Sequence, residues 1–206
     1  SGGAREPQSS ASKSEPSGDR GNILMISTTD LSVPTASGIH VMSLARAFRK
    51  AGKSVEIFAE KVGLETTDLN VKTFQTQELS VSEYGRYLKV LFQVLYFARS
   101  IPLLRRKRYE LIYIRVSSTT PALTLLSKMF LCGPIVTEHN GWIADESVLL
   151  KLPLWVTWLQ AGLQLLDAYA SAHVRVVSLG LKRILVEKGV SWVPHVRPED
   201  LTALII

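Results

Sequence analysis

Short apolar runs alternate with amphipathic segments between residues 22 and 190. Short apolar runs bounded by turn-forming residues are typical of buried parallel strands, whereas apolar residues spaced three and four apart indicate helices. The pattern predicts strands at 23–27, 54–59, 70–74, 111–114, 135–137 and 174–177. It predicts helices around 41–50, at 82–100 with an end near Pro102, at 120–130, from about residue 153, and from Ser178 to Gly189. This alternation predicts an α/β fold with a Rossmann-like, doubly wound, mostly parallel sheet.

The composition changes at both ends of this region. Residues 1–21 are mainly Ser, Gly, Pro and charged residues, which predicts a disordered tail. We expect residues 22–190 to form one domain, and residues 191–206 to form an irregular stub without a partner element. The single cysteine excludes an intramolecular disulfide framework and a cysteine-cluster metal site. With no long apolar run and no signal-peptide pattern, we expect a cytoplasmic protein.

The positive charge is concentrated in one segment. The net charge of the chain is +6, and residues 86–108 hold seven basic residues and no acidic one. Apolar residues lie beside these charges, which favours peripheral binding to the cytoplasmic face of an anionic membrane over a merely solvated surface. Trp155 and Trp158 could reinforce such an interface, although core packing is their default role. No nucleic-acid recognition module is present, so nucleic acid is not an expected partner. The predicted membrane-binding residues are Arg105, Arg106, Lys107 and Arg108.

Candidate chemistry lies where strands end, because ligands of open α/β sheets bind at the carboxyl ends of the strands. Glu138, His139 and Asn140 follow a predicted strand directly, and His and Glu side chains can exchange protons or orient a substrate. Arg115 ends another strand and could bind an anion or form a structural salt bridge. Gly38 precedes a helix, where backbone amides favour phosphate, or it simply serves a turn. No dinucleotide fingerprint, Walker A sequence or metal site is legible.

Four segments together resemble family 4 retaining glycosyltransferases, which have the two-domain GT-B architecture. The first is the strand at 22–27 with the following segment at 37–48. The others are YELIYIR at 109–115, PIVTEH at 134–139, and AHVRVVS at 172–178 with Leu181 and Lys182. The resemblance covers residues 22–189 and identifies them with the N-terminal domain of that family.

The resemblance implies roles for the candidate residues. Gly38, with Ser37, would lie near the diphosphate of a nucleotide-sugar donor. His139 and Glu138 would be the catalytic residues, and Asn140 and Arg115 would bind the acceptor. The family transfers a sugar with retention of configuration, without a cofactor or an essential metal, in many members to a lipid-linked or glycan acceptor.

The C-terminal domain that holds most of the donor site in this family is not present in the sequence. We therefore expect the chain to need that domain or a partner subunit, and to be inactive alone. A membrane-associated, non-catalytic Rossmann-like binding or regulatory module is the alternative. The absent fingerprint makes a nucleotide-dependent oxidoreductase a more distant possibility.

Overall fold

The computed structural model describes residues 21–63, 67–74, 83–117, 120–149, 151–188 and 202–203. Residues 1–20 of the predicted tail at 1–21 and the predicted helix end at Gly189 lie outside this part of the chain. Within the described residues, seven strands form one sheet: β1 (Asn22–Ile26), β2 (Ser54–Ala59), β3 (Asn70–Thr73), β4 (Tyr109–Arg115), β5 (Ile135–His139), β6 (His173–Val176) and β7 (Thr202–Ala203). The helices are α1 (Ala36–Lys50), α2 (Glu83–Leu104), α3 (Thr120–Phe130), α4 (Ile143–Leu149), α5 (Leu154–Ala170) and α6 (Leu179–Glu187).

The strand order is β3-β2-β1-β4-β5-β6-β7, and every neighbouring pair is parallel. The chain builds the sheet outward in one direction from β1 to β3 and in the other from β4 to β6. The order therefore reverses between β1 and β4, which is the topological switch point of a doubly wound sheet. The Rossmann-like α/β fold predicted from the sequence is confirmed.

Alternate residues of the strands pack into two hydrophobic cores, one on each side of the sheet. Leu24 and Ile26 pack with Phe97 of α2 and Leu123 of α3, whereas Ile23 and Met25 pack with Val41, Met42 and Ala45 of α1. This is the period-two alternation of a sheet that is buried on both sides. We call the two sides the α1 face and the α3 face, and α5 packs beside α3.

Three sequence predictions about elements are wrong. Helix α2 continues through Pro102 to Leu104, because Ile101 and Leu104 are buried in the core and offset the hydrogen bond that the proline removes. Strand β5 extends two residues beyond Thr137, because Glu138 pairs with both β4 and β6 and His139 pairs with β6. Part of the C-terminal stub has a partner, since Thr202–Ala203 pairs with β6.

Helix α4 was not predicted at all. Among the described residues, no helix is both long and apolar enough to span a bilayer.

Candidate active site at the carboxyl edge of the sheet

A row of three charged side chains crosses the carboxyl ends of β4, β5 and β6. Arg115 pairs in register with Glu138, and Glu138 pairs with Arg175. Arg115 Nη1 lies 2.9 Å from Glu138 Oε1, and Arg175 Nη1 lies 3.6 Å from Oε2. The Glu138 side chain is only 1% exposed. The two guanidinium groups therefore supply the pairing that a buried carboxylate needs.

Two more side chains on the α1 face contact Glu138. His40, near the start of α1, places its Nε2 atom 3.0 Å from Glu138 Oε2. The Tyr113 hydroxyl donates to the same oxygen and accepts a hydrogen bond of 3.2 Å from Arg175 Nη1. Burial, and then the neighbouring charge of Glu138, raise the pKa of Tyr113 well above its usual range. The hydroxyl therefore keeps its proton and remains a donor.

Asn140 lies just beyond β5 and links Arg115 to Glu138. With its amide oxygen directed at Arg115, it accepts from Nε and Nη2 at 3.2 Å each, and its amide nitrogen donates to Glu138 Oε1 at 3.1 Å. These contacts fix the plane of the guanidinium group. The structure thus brings together three of the predicted site residues, Arg115, Glu138 and Asn140.

His139 lies on the opposite face of the sheet from Glu138. The two are consecutive in β5, and consecutive side chains of a strand point to opposite faces. His139 is completely buried; its Nε2 lies 3.3 Å from Thr137 Oγ1, and its Nδ1 lies 3.2 Å from Gln164 Nε2. Burial lowers the pKa of His139 to about 3, so the imidazole is neutral near pH 7. Its predicted catalytic role remains a prediction.

A buried polar network extends from His139 along the α3 face. Thr137 Oγ1 lies 2.8 Å from Ser171 Oγ, and Ser171 Oγ donates to the backbone carbonyl of Asp167 at 2.6 Å. The Thr120 hydroxyl donates to Asp167 Oδ2 at 2.9 Å. Oδ1 of that carboxyl group has no hydrogen-bond partner among the described residues. Burial raises the pKa of Asp167 to about 7, against the lowering effect of nearby threonine hydroxyls.

Gly38 and Ser37 lie at the switch point, in the first turn of α1. The Gly38 amide donates to the side chain of the N-cap residue Thr35 at 3.1 Å, so it is already used for capping. Ser37 Oγ lies 3.2 Å from Thr29 Oγ1. Across the switch point, the hydroxyl of Thr28 in the β1 loop donates to Ser117 in the β4 loop at 2.9 Å. Hydroxyl groups therefore line the place where the donor diphosphate was predicted.

The basic residues 105–108 occupy the turn before β4, at the amino edge of the sheet and therefore at the end opposite Glu138. All four are exposed, and Lys107 Nζ lies 2.8 Å from Glu56 Oε1. The outer side of α2 leads into this turn with a stripe of exposed apolar side chains. These are Leu91 (51% exposed), Phe92 (47%), Leu95 (53%) and Leu103 (61%).

Trp155 and Trp158 on α5 are 68% and 75% exposed. The prediction that they pack in the core is therefore wrong.

Sequence reasoning missed three members of the Glu138 cluster: His40, Tyr113 and Arg175. Arg175 could have been found by aligning the predicted strands at 135–137 and 174–177 as neighbours in a parallel sheet. Tyr113 could have been found as the residue two positions before Arg115, on the same face of the strand. His40 depends on a contact between a helix and a distant strand, which a single sequence does not encode visibly. Within the described ranges, no group of three or more His, Cys, Asp or Glu side chains could hold a metal ion.

Comparison with known proteins gives fold neighbours only. No family model matches the chain, and no curated protein matches it. The structure is similar to sucrose-phosphate synthase from Thermosynechococcus elongatus, with a TM-score of 0.62, 16% sequence identity, and coverage of 86% of this chain and 47% of that chain. It is also similar to MurG of Acinetobacter baumannii, with a TM-score of 0.48, 9% identity, and coverage of 77% of this chain and 42% of that chain.

The chain thus spans about half the length of the sucrose-phosphate synthase that it matches. At this level of identity the likeness shows the fold alone, a Rossmann-like α/β domain.

Proposed function

We propose that this chain is the acceptor-side half of a retaining glycosyltransferase. It would move a sugar from a nucleotide donor to a lipid-linked or glycan acceptor, with the donor half supplied by a second domain or a partner subunit. The observation that carries the proposal is the charged cluster around Glu138, which lies at the carboxyl edge of a sheet with the GT-B-like topology. Ligands of such sheets bind at that edge.

In this proposal, each residue has a limited role that its surroundings allow. Glu138 is enclosed by Arg115, Arg175 and His40, so it acts by fixing these groups. Arg115 and Asn140 contact the acceptor. His139 is neutral and buried, so any contribution to the reaction comes from hydrogen bonding by a neutral imidazole.

The test is glycosyl transfer by the chain alone and by the chain combined with a polypeptide that supplies the donor half. We expect turnover of a nucleotide-sugar panel only in the combined form, with the anomeric configuration of the product retained in its NMR spectrum. Arg115→Ala should reduce kcat/KM by about tenfold or more, since hydrogen bonds to charged groups contribute roughly 1.5–3 kcal/mol. Arg46→Ala, which removes an exposed arginine paired with Asp68, is the matched control. Robust turnover by the isolated chain, or equal effects of the two substitutions, would contradict the proposal.

A second candidate function, peripheral binding to an anionic membrane, is favoured by the outer side of α2. Its exposed apolar stripe runs into four exposed basic residues, which combines apolar insertion with attraction to acidic headgroups. Each basic residue near such a surface contributes about 1 kcal/mol. Lys107 contributes less because it is paired with Glu56.

Flotation with vesicles tests this. Replacing residues 105–108 with Gln should lower partitioning onto phosphatidylserine vesicles by about two to three orders of magnitude and leave phosphatidylcholine binding unchanged. The control removes four cations of the α1 region, Arg46, Arg49, Lys50 and Lys53. Equal loss in both variants would refute a specific membrane face, whereas membrane binding without any transferase activity would favour the non-catalytic alternative.

A further inference from the structure

Gln164 lies on the buried side of α5, next to the turn between β5 and α4. Its side chain is 1% exposed. The amide oxygen accepts a hydrogen bond of 2.9 Å from the backbone nitrogen of Ile143, the first residue of α4. The amide nitrogen donates to the backbone carbonyl of Gly141 at 2.7 Å. Because a backbone N–H only donates and a carbonyl only accepts, these two contacts fix the orientation of the Gln164 amide.

The same amide also determines where His139 carries its proton. Gln164 Nε2 lies 3.2 Å from His139 Nδ1. Since the fixed orientation makes this amide nitrogen a donor, Nδ1 must be the acceptor. A neutral imidazole has one N–H group, so the proton of His139 lies on Nε2.

The polar network on the other side of the ring leads to the same assignment. The Ser171 hydroxyl donates its one proton to the Asp167 carbonyl, so it accepts from Thr137 Oγ1 at 2.8 Å. The proton of the Thr137 hydroxyl is thereby used, and Oγ1 must accept from His139 Nε2 at 3.3 Å. Two separate chains of contacts therefore agree, and both ring nitrogens of His139 are engaged within the protein.

The turn that Gln164 holds carries one of the candidate site residues. Asn140 lies between His139 and Gly141 and is exposed at the carboxyl edge, where its amide oxygen accepts from Nε and Nη2 of Arg115. Gln164 contacts the residues on both sides of Asn140, at the His139 ring and at the Gly141 carbonyl. The buried amide therefore fixes the backbone from which Asn140 reaches Arg115.

We propose that Gln164 is a positioning residue of the candidate site, which holds Asn140, and through it the Arg115 guanidinium, in the orientation that an acceptor meets. The inference rests on the proposed transferase function for one step, the contact of Arg115 and Asn140 with the acceptor. Gln164 is buried and acts only through the turn. Groups that are held in place before binding lose less freedom when the ligand arrives.

NMR of the nitrogen-labelled histidine side chains of the full chain tests the contact with His139. The chain has four histidines, and the spectrum of His139→Gln identifies the signal of His139. In the wild type we expect the proton on Nε2. In Gln164→Glu a carboxylate accepts where the amide donated, so Nδ1 should become protonated. A wild-type proton on Nδ1, or an unprotonated Nδ1 in a folded Gln164→Glu variant, would overturn the proposal.

The Nε–H signal of Arg115 tests the positioning itself. Gln164→Met keeps a side chain of similar length and removes all three hydrogen bonds of the amide, so this signal should shift or broaden as Asn140 is released. Gln164→Asn, which is one methylene shorter, serves the same purpose if the methionine variant does not fold. Ser171→Ala is the matched control, because it removes two hydrogen bonds of the same buried network and none of the turn. An unchanged Arg115 signal in the Gln164 variant, or an equal change in the control, would contradict the positioning role.

Transfer assays with the donor half present separate this inference from the proposed function. Gln164→Met should raise the KM for the acceptor about tenfold and leave the KM for the donor unchanged, whereas Ser171→Ala should change neither. No transfer by the combined wild-type protein contradicts the proposed function alone, because both NMR tests use the chain by itself. An unchanged acceptor KM in a folded Gln164→Met variant contradicts the positioning role alone.

Discussion

Burial shifts the pKa values of His139 and Asp167 in opposite directions. Substituting each residue singly should reveal its effect on the pH dependence of stability. Burial lowers the pKa of His139 from 6.5 to about 3. Below pH 6.5 the imidazole is protonated in the unfolded chain but stays neutral in the folded chain. The free energy of unfolding therefore decreases as the pH falls. Burial raises the pKa of Asp167 from 3.8 to about 7. Above pH 3.8 the unfolded chain releases a proton that the folded chain retains, so this residue removes stability as the pH rises towards 7.

The two groups affect the free energy of unfolding by similar amounts. Each group changes the unfolding free energy by up to about 1.4 kcal/mol per pH unit within its window. Both windows include pH 4.5–6.5, where each contributes about 2 kcal/mol in total with opposite sign. In the wild-type protein the two slopes should therefore largely cancel in this range.

Each variant removes the contribution of one group to the pH dependence of the unfolding free energy. Asp167→Asn keeps an oxygen that can accept from Thr120 and leaves His139 to act alone, so it should lose about 2 kcal/mol relative to wild type between pH 6.5 and 4.5. His139→Gln should lose about the same amount relative to wild type as the pH rises over that range.

Urea unfolding at each pH measures these differences, and subtracting the wild-type curve removes the other titrating groups. Asp145→Asn, at an exposed carboxyl of α4, is the control. Curves for both variants that run parallel to wild type would refute the assignment of these groups as buried and oppositely shifted.

Three further predictions concern stability. Ser178→Ala removes the side-chain acceptor for the Leu181 amide at the start of α6 and should cost about 1 kcal/mol in chemical denaturation. Gly133→Ala should cost about 2 kcal/mol or more, because its Cβ would lie 2.5 Å from the Tyr109 carbonyl oxygen; a neutral effect would contradict the packing at this turn. Phe58 is fully buried, with ring centroids 5.8 Å from Phe74 and 5.5 Å from Phe97. Phe58→Ala should therefore cost about 3–5 kcal/mol by calorimetry, against less than about 1 kcal/mol for Phe92→Ala at its exposed site.

Periodicity predicted the sheet and most helices because burial on two faces leaves a strong pattern. The helix at 120–130 has the predicted bounds, as do β2 and the start of β3. The pattern failed where a local rule was outweighed by packing. Pro102 did not end α2, because Ile101 directly before it and Leu104 two residues after it are core residues.

The candidate site was predicted only in part, and strand geometry explains which part. Arg115, Glu138 and Asn140 were singled out because they follow strands, and they do meet. Their further partners come from elements far away in the chain: the register between β5 and β6 reveals Arg175, whereas His40 on α1 is revealed only by the packing of the helix on the sheet. His139 was grouped with Glu138 because the two are adjacent in sequence, whereas adjacency in a strand separates side chains.

Strand β5 also shows how polar residues can fix an alignment that apolar residues leave free. Ile135 and Val136 are both apolar and β-branched, so a shift of one position along the sheet would still place an apolar side chain on each face. The same shift would move the carboxylate of Glu138 into the neutral layer with Gln164, and would place the ring of His139 between two guanidinium groups. Both exchanges are unfavourable, because one buries an unpaired charge and the other leaves two cations without their counter-ion. The strand is therefore held in register by a pair of polar residues that each fit only one side of it.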